Sequence, residues 1–288
     1  MHPAAGESGL VKNLVAIRHL IIILMVDMKH PLIIRSAGNI VIFTKIHLVG
    51  ILATLAFFSP RLLAQDSWVS LFNGTNLNGW RSAKSENFPA YGWIINDGVL
   101  TVHDNKGEES AGGGDIITRK RYSDFELNAD FKLTPGANSG IKIFVQPDIS
   151  PIDKKTGVKT AVGSAIGMEF QVLDDALHPD AKLGKNGDRT IGSLYDLMPA
   201  PKDKKVLPIG EWNSARILSR GKHVEFWLNG QKTVAFERGS EDFRAHVAES
   251  KFKNIPNFGE WADGHILLQE HGNEVSFRNV KIRVLSAK

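Results

Sequence analysis

The stretch GHILLQEHGNEVSFRNVKIRVL, residues 264–285, is the part of the chain that decides the fold. Its pattern predicts an apolar strand that ends near Gln269 and His271, then a turn at Gly272-Asn273 and an alternating strand over 275–284. Side chains on a strand alternate between two faces, so Gln269 and His271 share the face opposite the apolar residues. A histidine beside an amide on such a face is a plausible pair for handling a sugar.

The rest of the chain after residue 65 shows the same kind of pattern, with short alternating runs separated by turn residues. Asn96-Asp97-Gly98 and Asn229-Gly230 stand between such runs and are strong hairpin signals. We expect about ten strands and one helix, over residues 240–251. This pattern predicts an all-β fold in which two antiparallel sheets form a sandwich, and the lack of internal repeats predicts one domain over 66–288.

Residues 1–65 differ from the rest and are expected to be a leader. The segment 46–64 resembles a secretory signal peptide, with Ala64 at the cleavage site, which predicts a secreted, periplasmic or cell-surface protein. The segment 10–27 is also apolar but is interrupted by Arg18. We interpret it as an upstream extension before a start at Met28; a genuine membrane anchor is the alternative.

Charge follows the same division. Residues 1–65 hold six Lys/Arg and two Asp/Glu, which accounts for the whole formal net charge of +4. The basic isoelectric point therefore gives no reason to expect nucleic-acid binding by the domain. The chain has no cysteine, which excludes thiol nucleophiles, thiolate metal sites and disulfides.

Polar side chains recur on one face of three predicted strands. Glu169 and Gln171 share a face in the run 167–175, and Asn138 and Lys142 share one in the run 138–147. The opposite face of this second run carries the apolar residues Ile141, Ile143 and Val145. If the polar faces adjoin in one sheet, they form the floor of a groove; alternatively, each faces solvent, as in many antiparallel sheets.

Eight motifs in a fixed order resemble the 3-keto-disaccharide hydrolase family over residues 68–285. They are LFNGTNLNGW (71–80), GWIINDGVL (92–100), DFELNADFKL (124–133), NSGIKIF (138–144), GMEFQVLDD (167–175), GEWNSARI (210–217), LNG (228–230) and ILLQEHGNEVSFRNVKI (266–282). The resemblance implies a concanavalin A-like jelly-roll sandwich. It also implies cleavage of glycosides whose sugar carries a ketone at C3.

The implied chemistry is an elimination followed by hydration. A ketone at C3 acidifies the hydrogen on C2, so a base can remove it, the C1 substituent can leave, and water can add. The reaction needs a base, a group that stabilises the enolate oxygen, and an acid for the leaving oxygen. Glucanases with this fold carry E-x-D-x-x-E on one strand, whereas residues 169–174 read EFQVLD. This departure argues against a conventional endo-glucanase.

Carried over by motif, the resemblance implies Glu169 and His271 as the proton-transfer pair and Asp174 as a second acid or base, or as a metal ligand. The residues expected to bind substrate are Asn138, Ser139, Lys142, Gln171, Tyr195, Gln269 and Arg278. Many members have an arginine shortly after NSG where this chain has Lys142, and a lysine cannot make the paired contacts of a guanidinium.

Two questions stay open in the sequence. The loop DDALHPD contains Asp174, Asp175, His178 and Asp180 and could bind calcium, or its acids could simply shape turns. A non-catalytic carbohydrate-binding lectin is the rival to an enzyme. For an enzyme, the keto substrate calls for a partner sugar 3-dehydrogenase. The long loops 148–165 and 174–210 are expected to be functional or mobile.

Overall fold

The computed structural model describes residues 32–36, 39–43, 67–109, 113–152, 155–157, 159 and 163–286. The chain divides into two compact units, Met1–Leu63 and Ala64–Lys288. In the first unit, strands β1 (Leu32–Ser36) and β2 (Asn39–Phe43) form an antiparallel pair. The expected signal segment 46–64 and the apolar segment 10–27 lie outside the described residues. No helix among the described residues is long and apolar enough to cross a membrane.

The described part of the second unit is built almost entirely from strands, with one α-helix, α1 (Glu241–Glu249). In chain order the strands are β3 (Val69–Ser70), β4 (Trp80–Ser82), β5 (Trp93–Asn96), β6 (Val99–Val102), β7 (Ile116–Thr118), β8 (Phe125–Leu133), β9 (Asn138–Gln146), β10 (Ile166–Leu173), β11 (Trp212–Arg220), β12 (His223–Leu228), β13 (Gln231–Glu237), β14 (His265–Leu268) and β15 (Val275–Val284).

These strands form two antiparallel sheets. The small sheet has the order β10-β9-β14-β7-β4, and the large sheet has the order β13-β12-β11-β8-β15-β6-β5, with β3 paired to β15. The core fills the space between the sheets. Phe170 of the small sheet lies 5.5 Å from Phe226 and 6.4 Å from Phe131 of the large sheet, measured between ring centroids. The predicted all-β sandwich of two antiparallel sheets is confirmed.

Turn residues close the two predicted hairpins. Asp97 and Gly98 join β5 to β6, and Asn229 and Gly230 join β12 to β13; all four have positive φ. Two-residue turns of this geometry match the twist of the paired strands, and asparagine, aspartate and glycine adopt it at low cost. The expected helix is also present. Ser240 caps it by accepting a hydrogen bond from the backbone N–H of Phe243.

The two strands in the segment 264–285 do not pair with each other, in contrast to the turn-linked pair that the sequence suggested. β14 lies in the small sheet and β15 in the large sheet, so the residues between them cross from one sheet to the other. Gly272 lies in this crossing segment and has a φ of +79°. A Cβ at this position would lie 2.4 Å from the backbone N of Glu108. Alternation alone identifies strands but does not say which sheet each one joins.

The prediction that Val145 shares the apolar face of Ile141 and Ile143 is also wrong. Phe144 has a φ of +53° and forms a bulge, where Ile143 pairs with Met168 but Gln146 pairs with Ile166. The bulge adds one residue to β9 and reverses the alternation after it. Ile141, Ile143 and Phe144 therefore face the core, and Val145 packs in a separate small cluster.

Candidate functional site

A cavity of about 420 Å³ lies over the outer face of the small sheet. Strands β9 and β10 and the segment just after β14 supply its floor. Its walls come from the connections β9–β10 and β10–β11 and from the segment just after α1. The polar side chains that line it are Glu109, Asn138, Lys142, Ser164, Glu169, Gln171, His178, Asp180, Tyr195, Lys251, Gln269 and His271. Both long loops singled out in the sequence contribute to this cavity.

Glu169 and Lys142 form a buried charge pair on the floor. They are directly paired across β10 and β9, and Lys142 Nζ lies 3.6 Å from Glu169 Oε2. Burial raises the pKa of Glu169 above its usual range, and the charges of Lys142, Lys251 and His271 only partly oppose this effect. Glu169 can therefore hold a proton at a pH where a surface glutamate would have lost it.

Gly140 makes room for this carboxylate. It pairs with Gln171 across the strands, and a Cβ at Gly140 would lie 2.2 Å from Glu169 Oε1. The backbone of Gly140 is ordinary strand, so the glycine is needed for space and not for a special φ. The small residue of the NSG motif therefore permits the position of the carboxylate.

Lys142 is held in place by its neighbours. Its ammonium donates to Ser164 Oγ and, at 3.3 Å, to the carbonyl of Ala165. Ser164 in turn donates to Asp115 Oδ2, and Asp115 also accepts from the backbone N–H groups of Ala165 and Glu270. Burial raises the pKa of Asp115, and the charge of Lys142 opposes the shift. The position of the Lys142 ammonium is thus fixed by the β9–β10 connection.

Three buried polar atoms at the cavity have no hydrogen-bond partner in the described part of the protein. They are Asn138 Oδ1, Gln269 Oε1 and His271 Nδ1. Buried polar groups in native proteins are almost always paired, and leaving one unpaired costs about 1–3 kcal/mol. Three such atoms on residues that line one cavity indicate that a polar ligand or water supplies their hydrogen-bond partners.

Histidine and tyrosine side chains form part of the cavity wall. The rings of His178 and His271 meet edge to face with centroids 6.0 Å apart. Burial lowers the pKa of His178, and the neighbouring His271 adds to the effect. Burial also raises the pKa of Tyr195, with contributions from the carboxylates of Glu169 and Asp180, so this phenol stays protonated and can donate.

Lys251 is a cavity residue that no motif in the sequence singled out. It follows α1, and its Nζ lies 4.1 Å from the centroid of the Tyr195 ring. Its backbone N–H donates to Asp196 Oδ2 at 2.8 Å. A lysine at the end of a helix usually faces solvent, and nothing in the local sequence distinguishes this one.

Three of the expected site residues are not among those that line the cavity. Asp174 uses both carboxylate oxygens on backbone N–H groups, from Gly136 and from residues 176–177, and so shapes a turn. Ser139 Oγ donates to the carbonyl of Gln269 and joins two strands. Arg278 lies on β15 of the large sheet, with its guanidinium 4.0 Å from the Trp212 ring centroid. The other seven all line the cavity: Asn138, Lys142, Glu169, Gln171, Tyr195, Gln269 and His271.

The acids of the DDALHPD loop have separate partners. Asp175 accepts from the N–H of Ile191 and lies 3.0 Å from Lys204 Nζ, and Asp180 pairs with Arg189 at 2.8 Å. Among the described residues, no group of three or more His, Cys, Asp or Glu side chains is arranged to hold a metal ion. The structure thus places these residues in turns and ion pairs.

Comparison with known proteins gives consistent results. A family model for the 3-keto-alpha-glucoside-1,2-lyase-like domain matches residues 67–283. A 3-keto-disaccharide hydrolase from Bacteroides thetaiotaomicron is 33% identical over 233 residues, which cover 76% of this chain and 79% of that protein. Two crystal structures of proposed glycosyl hydrolases from Parabacteroides distasonis are each 30% identical. The first has a TM-score of 0.61, and the match covers 78% of this chain and 97% of that one. The second has a TM-score of 0.55, and the match covers 76% of this chain and 100% of that one.

Proposed function

Because the chain belongs to the 3-keto-alpha-glucoside-1,2-lyase-like family, we propose that it cleaves the glycosidic bond of sugars that carry a ketone at C3. One observation carries this proposal. The buried Glu169–Lys142 pair lies in the same cavity as the partnerless polar atoms of Asn138, Gln269 and His271. Such a cavity offers proton-transfer groups together with hydrogen-bonding atoms suited to sugar hydroxyls.

The first step is removal of the hydrogen on C2. We assign this step to His271, whose Nδ1 lies at the cavity without a hydrogen-bond partner among the described residues. The C2–H electrons become an enolate that includes C3 and its oxygen. A positioned base of this kind typically contributes about 10²–10⁴-fold to the rate.

The second step is departure of the C1 substituent. The enolate electrons form a C1–C2 double bond, the C1–O bond breaks, and the leaving oxygen takes a proton. Glu169 is the donor in this scheme because burial raises its pKa and so favours the protonated form. Water then adds at C1, C2 regains a proton, and the product is a free 3-keto sugar.

The remaining polar residues hold the sugar. Asn138 Oδ1 and Gln269 Oε1 are buried acceptors that hydroxyl donors of the substrate would satisfy. Gln171 is more constrained, because its Oε1 accepts from the N–H of Val172 at 3.2 Å and its Nε2 donates to the carbonyl of Arg189. The substrate is therefore oriented mainly by the two partnerless amides.

A ketone at C3 must be made before this reaction can occur. An oxidation of the sugar at C3, by a sugar 3-dehydrogenase, is the class of reaction that would supply the substrate. We further propose that the protein is exported through the segment 46–64. N-terminal sequencing of protein recovered outside the cytoplasm of an expressing bacterium would test this, with a new terminus at residue 65 or 66 expected.

The deciding experiment compares a glycoside with its C3-oxidised form. The purified protein should release the aglycone from the oxidised form only, and in deuterated water the product should carry deuterium at C2. Cleavage restricted to the unoxidised glycoside would contradict the proposal. Binding of the oxidised form without cleavage would instead favour the non-catalytic lectin.

A further inference from the structure

The cavity contains two lysine side chains, and they are in very different surroundings. An ammonium group has three N–H donors. Lys142 directs its ammonium to Ser164 Oγ, the carbonyl of Ala165 and the carboxylate of Glu169. Two hydrogen-bond acceptors and a carboxylate at ion-pair distance thus surround this ammonium within the protein, and little capacity is left for a substrate atom.

Lys251 has the opposite arrangement. Among the described residues, its ammonium has neither a hydrogen-bond acceptor nor a carboxylate within ion-pair distance. Its nearest ring contacts are Tyr195, at 4.1 Å from the centroid, and Phe252, at 5.2 Å. Aromatic faces attract a cation without occupying its N–H donors in strong hydrogen bonds. Lys251 therefore offers the cavity a positive charge with free donors.

Resting on the proposed function, we infer that the Lys251 ammonium binds the C3 oxygen of the keto sugar and stabilises the negative charge that develops there. Removing the C2 hydrogen turns the C3 carbonyl into an enolate oxygen. A preorganised cation at that oxygen lowers the barrier more than it strengthens substrate binding, because the charge exists fully only after proton removal. Lys251 is on this basis a catalytic residue, and Lys142 instead positions Glu169.

The electrostatic surroundings agree with this role. Burial lowers the pKa of Lys251, the carboxylates of Glu169 and Asp196 oppose the shift, and the cations Lys142 and Arg189 add to it. Lys251 keeps a solvent-exposed surface, and its ammonium has no carboxylate within ion-pair distance among the described residues, so an anion in the cavity would find this charge without a bound counter-ion. The enolate is such an anion.

The test uses the full-length variants K251M and K251R, with K253M as the matched control. Lys253 lies two residues further along and is exposed, as Lys251 is, but it is not among the cavity-lining residues. We expect K251M to lower kcat on a 3-keto glycoside about 100-fold, as for loss of one oxyanion-stabilising group. Exchange of the C2 hydrogen with deuterated water should fall in parallel, with KM changed much less. K253M should behave as the unsubstituted protein.

The K251R variant tests whether Lys251 acts through its positive charge or as a reactive amine. An arginine keeps the positive charge, so it should recover at least a tenth of the activity. It should also extend activity to higher pH, since the unsubstituted enzyme should lose rate as pH rises through the lowered pKa of Lys251. Thermal unfolding by circular dichroism identifies any variant that fails to fold.

The outcomes separate the two proposals. C2 exchange by folded K251M within threefold of the unsubstituted protein would overturn the role of Lys251 and leave the proposed function intact. A folded K251R as inactive as K251M would also overturn it, because positive charge would then be insufficient. Failure of the unsubstituted protein to cleave any 3-keto glycoside would overturn both proposals.

Discussion

The carboxylate of Glu169 lies 3.6 Å from the Lys142 ammonium, and both side chains are at most 7% exposed. In the proposed mechanism Glu169 acts in its protonated form, and replacing this carboxyl group with an amide keeps its shape but removes the transferable proton. We expect E169Q to lower kcat by about 10²–10⁴-fold for substrates whose leaving group is a sugar alcohol. The loss should be much smaller when the leaving group is an acidic phenol, which needs no proton. Release of each leaving group measures the difference.

Glu126 provides a matched control for that substitution. It is also a glutamate that is almost fully buried, and it is paired with Arg216 and Arg283 on the large sheet, away from the cavity. E126Q should therefore keep full activity on every leaving group. An E169Q defect of equal size for sugar and phenol leaving groups would contradict the role of Glu169 as the acid.

The second prediction concerns the space that Gly140 leaves for the side chain of Glu169. We expect G140A to lower kcat/KM by about 100-fold, because a Cβ 2.2 Å from Glu169 Oε1 must displace the carboxylate, and misplacement by about 1 Å can have an effect of that size. G79A is the matched control, since a Cβ at Gly79 has no neighbour within 4 Å. Equal activity of the two variants would show that the position of Glu169 is unimportant.

The base at C2 gives a third prediction. We expect H271Q to lower kcat by about 10²–10⁴-fold whatever the leaving group, because proton removal precedes its departure. Deuterium exchange at C2, followed by NMR, should fall by the same factor. H246Q is the control, because His246 lies on α1 outside the cavity lining. Persistent exchange in H271Q would assign the base to another residue.

The pH dependence of stability gives a fourth prediction. Burial acts to raise the pKa of Glu126, but the hydrogen bonds from Arg216 and Arg283 outweigh it, and the net pKa is lowered. A carboxyl with a lowered pKa in the folded state stabilises the protein above its unfolded pKa of about 4.3 and loses this contribution as pH falls through the folded value. In urea unfolding at pH 7, the free energy of unfolding of E126Q should therefore be well below that of the unsubstituted protein. The difference should shrink towards pH 3; a constant difference would contradict this.

Much of the polar face could be predicted because alternation is a local property of the chain. Glu169 and Gln171 alternate with Met168 and Phe170, and the structure keeps this order throughout β10. The turns at Asp97-Gly98 and Asn229-Gly230 could be predicted for the same reason, since their residue types tolerate positive φ.

The errors arise where a local pattern cannot report on distant contacts. Phe144 adopts positive φ without being a glycine or an asparagine, and the ring lies 3.8 Å from the Arg238 guanidinium. Arg278 stands seven residues after His271 in the sequence, but the intervening chain crosses to the other sheet. Lys251 reaches the cavity from the turn just after α1, which no strand pattern includes. These placements depend on tertiary packing, which alternation does not encode.

The division of the cavity between strands and loops has a consequence for how such proteins can diverge. Glu169, Lys142 and Gly140 belong to paired strands, whereas Ser164 and Tyr195 belong to the connections that enclose the cavity. Insertions in connections are tolerated far better than insertions in paired strands. Changes in loop length can therefore make room for larger or differently shaped leaving groups, while Glu169 and Lys142 on the paired strands keep their positions.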